Sequence, residues 1–423
     1  MAKLLVTGGN KLGGKIKIGG NKNSALKLFA AALLPDSPTQ FTNVPVIRDI
    51  QVMGELIQSL GANVEGLGTN NVRIDPTTLN KWELDKELTG RIRASVVLAA
   101  PLLAKFGKAV ITPPGGDQIG ERLLDTHFNM MRSFGVDVKQ INGKYELSWK
   151  KIPRSVDIFL EEASVTATEM GLMLGASKDI TTKIDDAASE PHVRDLAQYL
   201  VKCGSKISGA GTNLITLKGN KLKGSEYSVI SDHIEAGTFA IAAAITGGDV
   251  LIESIVPDDY RMMLSYLRDM SVKYKIIGKD KLRVLPSKPK PLKKRFQTRP
   301  WPGFPTDLMS PFIVLATQSK GTVLCHDWMY EWRIFFVDDL ISMGANIFIA
   351  DPHRVIITGG KHLEANKLIC KDIRAGISII LAALTARGTS EIENIEMVDR
   401  GYENIERRLG GLGASINRIN SAE

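Results

Sequence analysis

The heptapeptide SLGANVE at residues 59–65 decides the fold, because its pattern returns five more times along the chain. The later copies are SFGVDVK (133–139), KCGSKIS (202–208), DMSVKYK (269–275), SMGANIF (342–348) and GLGASIN (411–417). Each joins the end of a helical segment to a strand through one small residue: Gly61, Gly135, Gly204, Ser271, Gly344 or Gly413. The intervals are 74, 69, 67, 73 and 69 residues, so the chain reads as six repeats of about 70 residues. Glycine suits a position just past a helix where the backbone turns left-handed, a conformation costly for other residues. Ser271 breaks that rule and predicts a differently built turn.

Working outward, each repeat has a helix of small apolar residues upstream, at 23–34, 94–105, 164–177, 234–246, 307–319 and 373–385. A β-branched strand follows, as in GKAVITPP, ITTKIDD, GDVLIES, GTVLCHD and TSEIENI, then an amphipathic helix, the turn and further strand. A helix that is apolar on all sides must be enclosed. The fold class is therefore α/β, with helices enclosed by sheets. The sixth repeat ends one strand early, and LLVTG and KIKIGG near the N-terminus belong to no other repeat. Residues 1–21 are expected to close the sixth repeat. That gives two lobes of three repeats, 22–230 with a loop near 113–127, and 231–423 plus 1–21.

A hydrophobic content of 43% and a charged content of 24% are ordinary for a globular protein. The longest apolar runs, 238–246 and 378–386, fall short of the ~18 residues that cross a bilayer. The start, MAKLLVTGGNK, carries no apolar signal core. Cys203, Cys325 and Cys370 are spaced too widely for a metal cluster or a disulfide framework. These features read as cytoplasmic. The net charge of +8 is local: residues 281–300 hold eight bases and no acid, and elsewhere bases and acids balance at 46 each. A run broken by prolines in this way reads as a solvated edge, not as a nucleic-acid surface.

The interior helices are nearly uncharged, yet their N-terminal approaches are polar. They carry Lys22 and Asn23, Arg91 and Arg93, Glu161 and Glu162, Asp232 and His233, Asp307, and then Lys371, Asp372 and Arg374. Equivalent helix starts point the same way within a lobe, so these groups are expected to gather where the lobes face each other. Helix N-termini offer free N–H groups and a positive dipole end, which suits an anion. Asp232, Asp307 and Asp372 fit equally well as simple caps. Lys22, Arg93 and Arg374 do not, because cations there oppose the dipole; they imply an anionic partner. The loop PPGGDQIGERLLDTH (113–127) exposes Asp117, Glu121 and Arg122, and PWPGFPTD (300–307) is a rigid approach to Asp307. Arg333 and Arg400 follow outer strands, and each alone reads as a surface arginine. Phosphate-binding glycine loops, dinucleotide fingerprints and zinc-protease motifs do not occur.

The segments GGNKNSALKLFAAALL, RIRASVVLAAPLLAKFG, PPGGDQIGERLLDTH, DHIEAGTF, PGFPTD, KDIRAG and VDRGYENIE run in order along essentially the whole chain. In them the chain resembles the UDP-N-acetylglucosamine 1-carboxyvinyltransferase family of enolpyruvyl transferases. The resemblance implies a two-lobed inverse α/β barrel with three repeats per lobe. It also implies transfer of the enolpyruvyl group of phosphoenolpyruvate to the 3-hydroxyl of UDP-N-acetylglucosamine, with release of phosphate. That is the first committed step of peptidoglycan precursor synthesis, and so serves cell-wall biogenesis, cell shape and division. No metal or organic cofactor, nucleic acid or integral membrane contact is implied. The shikimate enolpyruvyl transferases share the fold but lack the KNSAL start and PGFPTD, and are the runner-up.

The resemblance also assigns residues. Lys22, Arg122 and Arg400 would hold the phosphate, and Arg333 with Arg374 the carboxylate; bidentate guanidinium suits both anions. Asn23, Arg93, Leu123, Leu124, Asp125, Thr126, His127, Ser164, Val165, Asp307 and Met329 would contact the nucleotide sugar. Asp307 would orient or deprotonate the 3-hydroxyl as it attacks C2, and Asp117 would protonate C3; Lys22 completes the catalytic set. A carboxyl can donate that proton if burial raises its pKa. The family commonly has Cys where Asp117 stands, which implies insensitivity to fosfomycin, the epoxide that alkylates that cysteine. Glu162 replaces a usual Lys and His233 a usual Arg, removing positive charge near the expected diphosphate and phosphate sites. Trp332 is also unusual for the family.

Overall fold

The computed structural model describes residues 2–117, 119–120, 122–292 and 295–419. All six repeat turns are left-handed, with φ of 98° at Gly61, 81° at Gly135, 123° at Gly204, 93° at Gly344 and 96° at Gly413. Ser271, expected to differ, has φ 61° and is built like the rest. The reason lies in the hydrogen bonds that close the turn. Val272 N–H reaches back to Leu267 O at 2.9 Å, as Val136 does to Met131 O (3.1 Å) and Ala345 to Leu340 O (2.9 Å). These bonds satisfy carbonyls that the ending helix would otherwise strand, and so hold serine in a conformation it seldom takes.

Six sheets follow the repeats among the described residues. Five share one order: a strand, a parallel neighbour, then two antiparallel strands. In the first repeat these are Glu226–Ser228, Thr39–Thr42, Val72–Asp75 and Asn63–Glu65. In the sixth they are Lys367–Ile369, Thr389–Glu393, Lys3–Thr7 and Ser415–Ile419. The N-terminal strand thus takes the place that an internal strand holds elsewhere, with Leu4 opposite Ile392 and Arg418. The second strand, Gly13–Lys17, runs parallel to Asp249–Glu253 in the fourth repeat's sheet. The second repeat's sheet has three strands, with a parallel bridge from Glu83 to Val110 in place of the fourth.

The chain forms two compact units. One is Gly20–Gly116 with Arg122–Ile230; the other is Met1–Gly19, Asp117–Glu121 and Ser231–Glu423. Each encloses its own apolar core and three of the sheets. The division differs from the expected lobe 22–230 in two respects: Gly20 and Asn21 join it, and Asp117–Glu121 leaves it. Arg400 donates to Asp117 and Trp332 N–H to Ile119 O (3.2 Å), and these ties bind the segment to the C-terminal unit.

The interior helices are enclosed as their composition requires. Every residue of Met309–Thr317 and Ile373–Ala383 is buried, and every residue of Lys22–Ala31 except Asn23. Phe312 stacks on Phe296 with ring centroids 3.8 Å apart. Truncating such a ring to alanine costs roughly 3–5 kcal/mol. Among the described residues, no helix is long and apolar enough to cross a membrane. In the basic run, Lys281 pairs with Glu253 and Arg283 with Asp249, both at 2.8 Å across neighbouring strands. Lys293 and Lys294 lie outside the described residues.

Candidate active site

In the C-terminal unit, Asp307 sits in a 3₁₀ turn, Thr306–Leu308, that leads into the interior helix Met309–Thr317. It is not a cap. Arg333 Nη1 donates to its Oδ1 and Arg374 Nη2 to its Oδ2, each at 2.8 Å. Asp232 and Asp372 are caps: Asp232 accepts from Ile234 and Glu235 N–H, and Asp372 from Arg374 and Ala375 N–H. Burial works against the charge on Asp307, but the Arg374 and Arg333 guanidiniums outweigh it and hold the carboxyl well below the usual carboxylate range. Its side chain is still 24% exposed, so an incoming molecule can reach it.

The approach to Asp307 is pinned by Asp327, which sequence reasoning missed. Fully buried, it accepts from Thr298 Oγ1 (3.0 Å), Thr306 Oγ1 (2.7 Å) and the backbone N–H of Met329 (3.1 Å). Arg333, read as a surface arginine, is buried at the start of the 3₁₀ turn Arg333–Phe336 with its guanidinium over the Tyr330 ring (4.7 Å). Arg400 is likewise no surface arginine; its side chain is only 12% exposed and is paired with Asp117. Glu121 lies outside the described residues. His233 is buried against Trp301, ring edge to ring face at 5.5 Å. Burial lowers its pKa, so it is neutral near pH 7 and supplies no charge in place of the usual arginine.

In the other unit, Lys22 opens the helix Lys22–Ala31, whose cap is the Asn21 side chain on Ser24 N–H. Lys22 pairs with Asp49, at 2.8 Å, in the first turn of the helix Arg48–Ser59. Both groups are nearly buried, so neither can be removed without leaving a charge stranded. Arg93 reaches the backbone of the 113–127 loop. Its Nη2 donates to the carbonyl of Arg122 and to that of Leu123 (3.3 Å), holding the segment that carries Arg122 and the candidates Leu123, Leu124, Asp125, Thr126 and His127. Leu123 is 71% exposed, and Leu124 precedes the helix Asp125–Ser133.

His127 is buried on that helix, 2.6 Å from Thr166 Oγ1. Burial, helped by Arg93 and Arg122, pushes its pKa down to about 4, so the ring is neutral and serves as a hydrogen-bonding wall. Thr126 donates to Glu162 at 2.9 Å. Ser164 and Val165 begin the interior helix Val165–Ser177, and half-buried Asn23 lies in the first turn of Lys22–Ala31. A cavity of about 390 Å³ is walled by Arg93, Pro113, Pro114, Arg122–Asp125 and Tyr145, among others. Its size falls within the range of small-molecule sites.

The chain has known relatives that fit this picture. The family described as EPSP synthase (3-phosphoshikimate 1-carboxyvinyltransferase) matches residues 6–409. UDP-N-acetylglucosamine 1-carboxyvinyltransferase of Bradyrhizobium diazoefficiens is 43% identical, over 98% of this chain and 97% of its own. Proteins of the same name from Treponema denticola (41%; 98% and 99% covered) and Borrelia garinii subsp. bavariensis (39%; 100% of both) are similar throughout. Among solved structures, the enolpyruvyl transferase NikO from Streptomyces tendae superposes with a TM-score of 0.88 at 24% identity, covering 100% of this chain and 99% of that one. EPSP synthase from Acinetobacter baumannii gives 0.75 at 19% identity, covering 99% and 100%. At such identities these two structures speak for the fold alone. The chain belongs to the enolpyruvyl transferases, in the family of the UDP-N-acetylglucosamine 1-carboxyvinyltransferases, and is an enzyme.

Proposed function

We infer that this enzyme transfers the enolpyruvyl group of phosphoenolpyruvate to the 3-hydroxyl of UDP-N-acetylglucosamine and releases phosphate. The observation that carries the reading is full-length identity near 40% to relatives of that name. The shikimate alternative is not favoured, since those relatives all carry the nucleotide-sugar name. Phosphoenolpyruvate offers a carboxylate to Arg333 and Arg374 and a phosphate to Lys22, Arg122 and Arg400. Asp307 accepts a hydrogen bond from the 3-hydroxyl and aligns it on C2. While both arginines hold it, Asp307 is charged but weakly basic, so its first task is orientation. As the phosphoenolpyruvate carboxylate draws the arginines away, Asp307 takes the hydroxyl proton while the C2–O bond forms and Asp117 delivers a proton to C3. The tetrahedral adduct then returns a C3 proton to Asp117 as the C2–O bond to phosphate breaks, restoring the double bond on the sugar ether.

Leu123, Leu124, Asp125, Thr126, His127, Ser164, Val165, Asn23 and Met329 form the nucleotide-sugar contacts. Arg93 serves them by holding the loop carbonyls in place. The reading places the enzyme in the cytoplasm, at the committed step of peptidoglycan precursor synthesis, where cell shape and division depend on it. It also makes the enzyme fosfomycin-insensitive. Proton NMR of a reaction mixture tests the reading: vinyl signals on a UDP-N-acetylglucosamine product are expected. Vinyl product from shikimate 3-phosphate, and none from the nucleotide sugar, would overturn it.

A further inference from the structure

Tyr402 is 1% exposed, and its hydroxyl lies 3.1 Å from Arg374 Nη1 and 2.9 Å from Thr238 Oγ1. Thr238 Oγ1 also lies 2.9 Å from the Ile234 carbonyl, which can only accept. The single hydroxyl proton of Thr238 therefore goes to Ile234, and Tyr402 gives its own proton to Thr238. The tyrosine oxygen is left as an acceptor for the Arg374 N–H. That order of protons is fixed by the backbone of the helix His233–Thr246, without any ligand. The same ring lies beneath the guanidinium, 5.6 Å from its carbon to the ring centroid.

Arg374 Nη2 is on Asp307, a contact that an incoming carboxylate can replace. The Tyr402 contact on Nη1 is one that no ligand can reach, because the ring is buried. Arg333 is anchored differently, by the face of Tyr330 and by Thr306 Oγ1 at 3.2 Å on the same nitrogen that serves Asp307. We propose that Tyr402 is the positioning residue of the reaction's carboxylate site: it holds the plane of the Arg374 guanidinium while Asp307 and the carboxylate of phosphoenolpyruvate exchange on it. The proposal rests on the reading that Arg374 receives that carboxylate. Such an anchor acts on ground state and transition state alike, so its loss raises KM for phosphoenolpyruvate more than it lowers kcat.

The test is steady-state kinetics of Tyr402→Phe, Thr238→Val and Arg374→Lys with both substrates varied, alongside thermal melting. Tyr402→Phe keeps the ring and removes the acceptor. Its KM for phosphoenolpyruvate should rise about tenfold, with kcat within about threefold and KM for UDP-N-acetylglucosamine within about twofold. Thr238→Val, which unsettles the tyrosine proton and spares the ring, should raise the same constant about threefold, and it carries the test if Tyr402→Phe folds poorly. A raised KM for phosphoenolpyruvate in Arg374→Lys, with unchanged constants in the other two, overturns this inference alone. An unchanged KM in Arg374→Lys overturns the carboxylate assignment, and the inference with it. Equal rises in both KM values with a lowered melting temperature in Tyr402→Phe mean a merely structural tyrosine, and overturn the inference as well.

Discussion

Asp307 in one unit and Glu169 in the other are both carboxylates set against basic side chains, yet their charge states diverge. Asp307 has a guanidinium on each oxygen at 2.8 Å and is held far below the usual carboxylate range. Glu169, on the interior helix Val165–Ser177, is fully buried and has Lys27 at 3.5 Å, too long for a good hydrogen bond. Burial pushes its pKa up to about 7, against the pull of Lys27. Close bidentate pairing, more than depth, decides whether a carboxylate stays charged. The permanently charged one is the partly exposed one, at a helix start with two arginines able to receive another anion. The one that titrates near neutrality belongs to the core.

The contrast breaks most sharply on turnover. Asp307→Asn should lower kcat by about 10²–10⁴ with the fold intact, whereas Glu169→Gln should leave kcat within about threefold. Comparable losses in the two variants would erase the distinction between site and core. Next in size is a gain of chemistry at the loop that joins the Asp307 unit. Asp117→Cys should become open to time-dependent inactivation by fosfomycin, while the unaltered enzyme shows none, because a carboxylate is a far weaker nucleophile toward an epoxide than a thiolate. The three native cysteines are buried; burial pushes Cys370 up to about 12 and raises Cys203 and Cys325 too, so none supplies a thiolate. Intact mass after drug treatment reads the outcome, and an adduct on the unaltered chain would contradict it.

Stability against pH comes third. With its folded pKa raised to about 7 from 4.5, Glu169 contributes stability that is fully present below about pH 4.5 and is lost as pH rises through 7. The group accounts for about 3 kcal/mol across that window, and Glu169→Gln should remove that slope in urea titrations at pH 5 and 8. An identical pH slope in both proteins would show that Lys27 compensates Glu169 fully. The smallest effect concerns charge at the loop of the other unit. Glu162→Lys should lower KM for UDP-N-acetylglucosamine by about two- to fivefold at low salt, and less in concentrated salt, as expected for an exposed charge near a diphosphate. A salt-independent change would point to the Thr126 hydrogen bond instead.

The repeats were legible because a turn needing positive φ, with glycine at five of its six positions, marks each one, and because enclosed helices must be apolar all round. Ser271 misled, since its left-handed turn is enforced by hydrogen bonds that composition does not reveal. Asp307 was legible from its proline-stiffened approach. Its state was not, for Arg333 and Arg374 lie 26 and 67 residues away. Asp49 was hidden as an ordinary first-turn acid, and Asp327 as an ordinary loop acid. Asp117 and Arg400 are 283 residues apart, and no local pattern shows that the loop belongs with the later unit. Tyr402 stood inside the motif VDRGYENIE, but only the protons around its hydroxyl give it a task.

Phosphate release is the most direct measure of the central claim. Incubated with phosphoenolpyruvate and, in turn, UDP-N-acetylglucosamine, shikimate 3-phosphate or no acceptor, the enzyme should liberate phosphate catalytically only with the nucleotide sugar. Asp307→Asn should abolish most of that signal. Phosphate release that is equal with and without UDP-N-acetylglucosamine, or confined to shikimate 3-phosphate, would contradict the account.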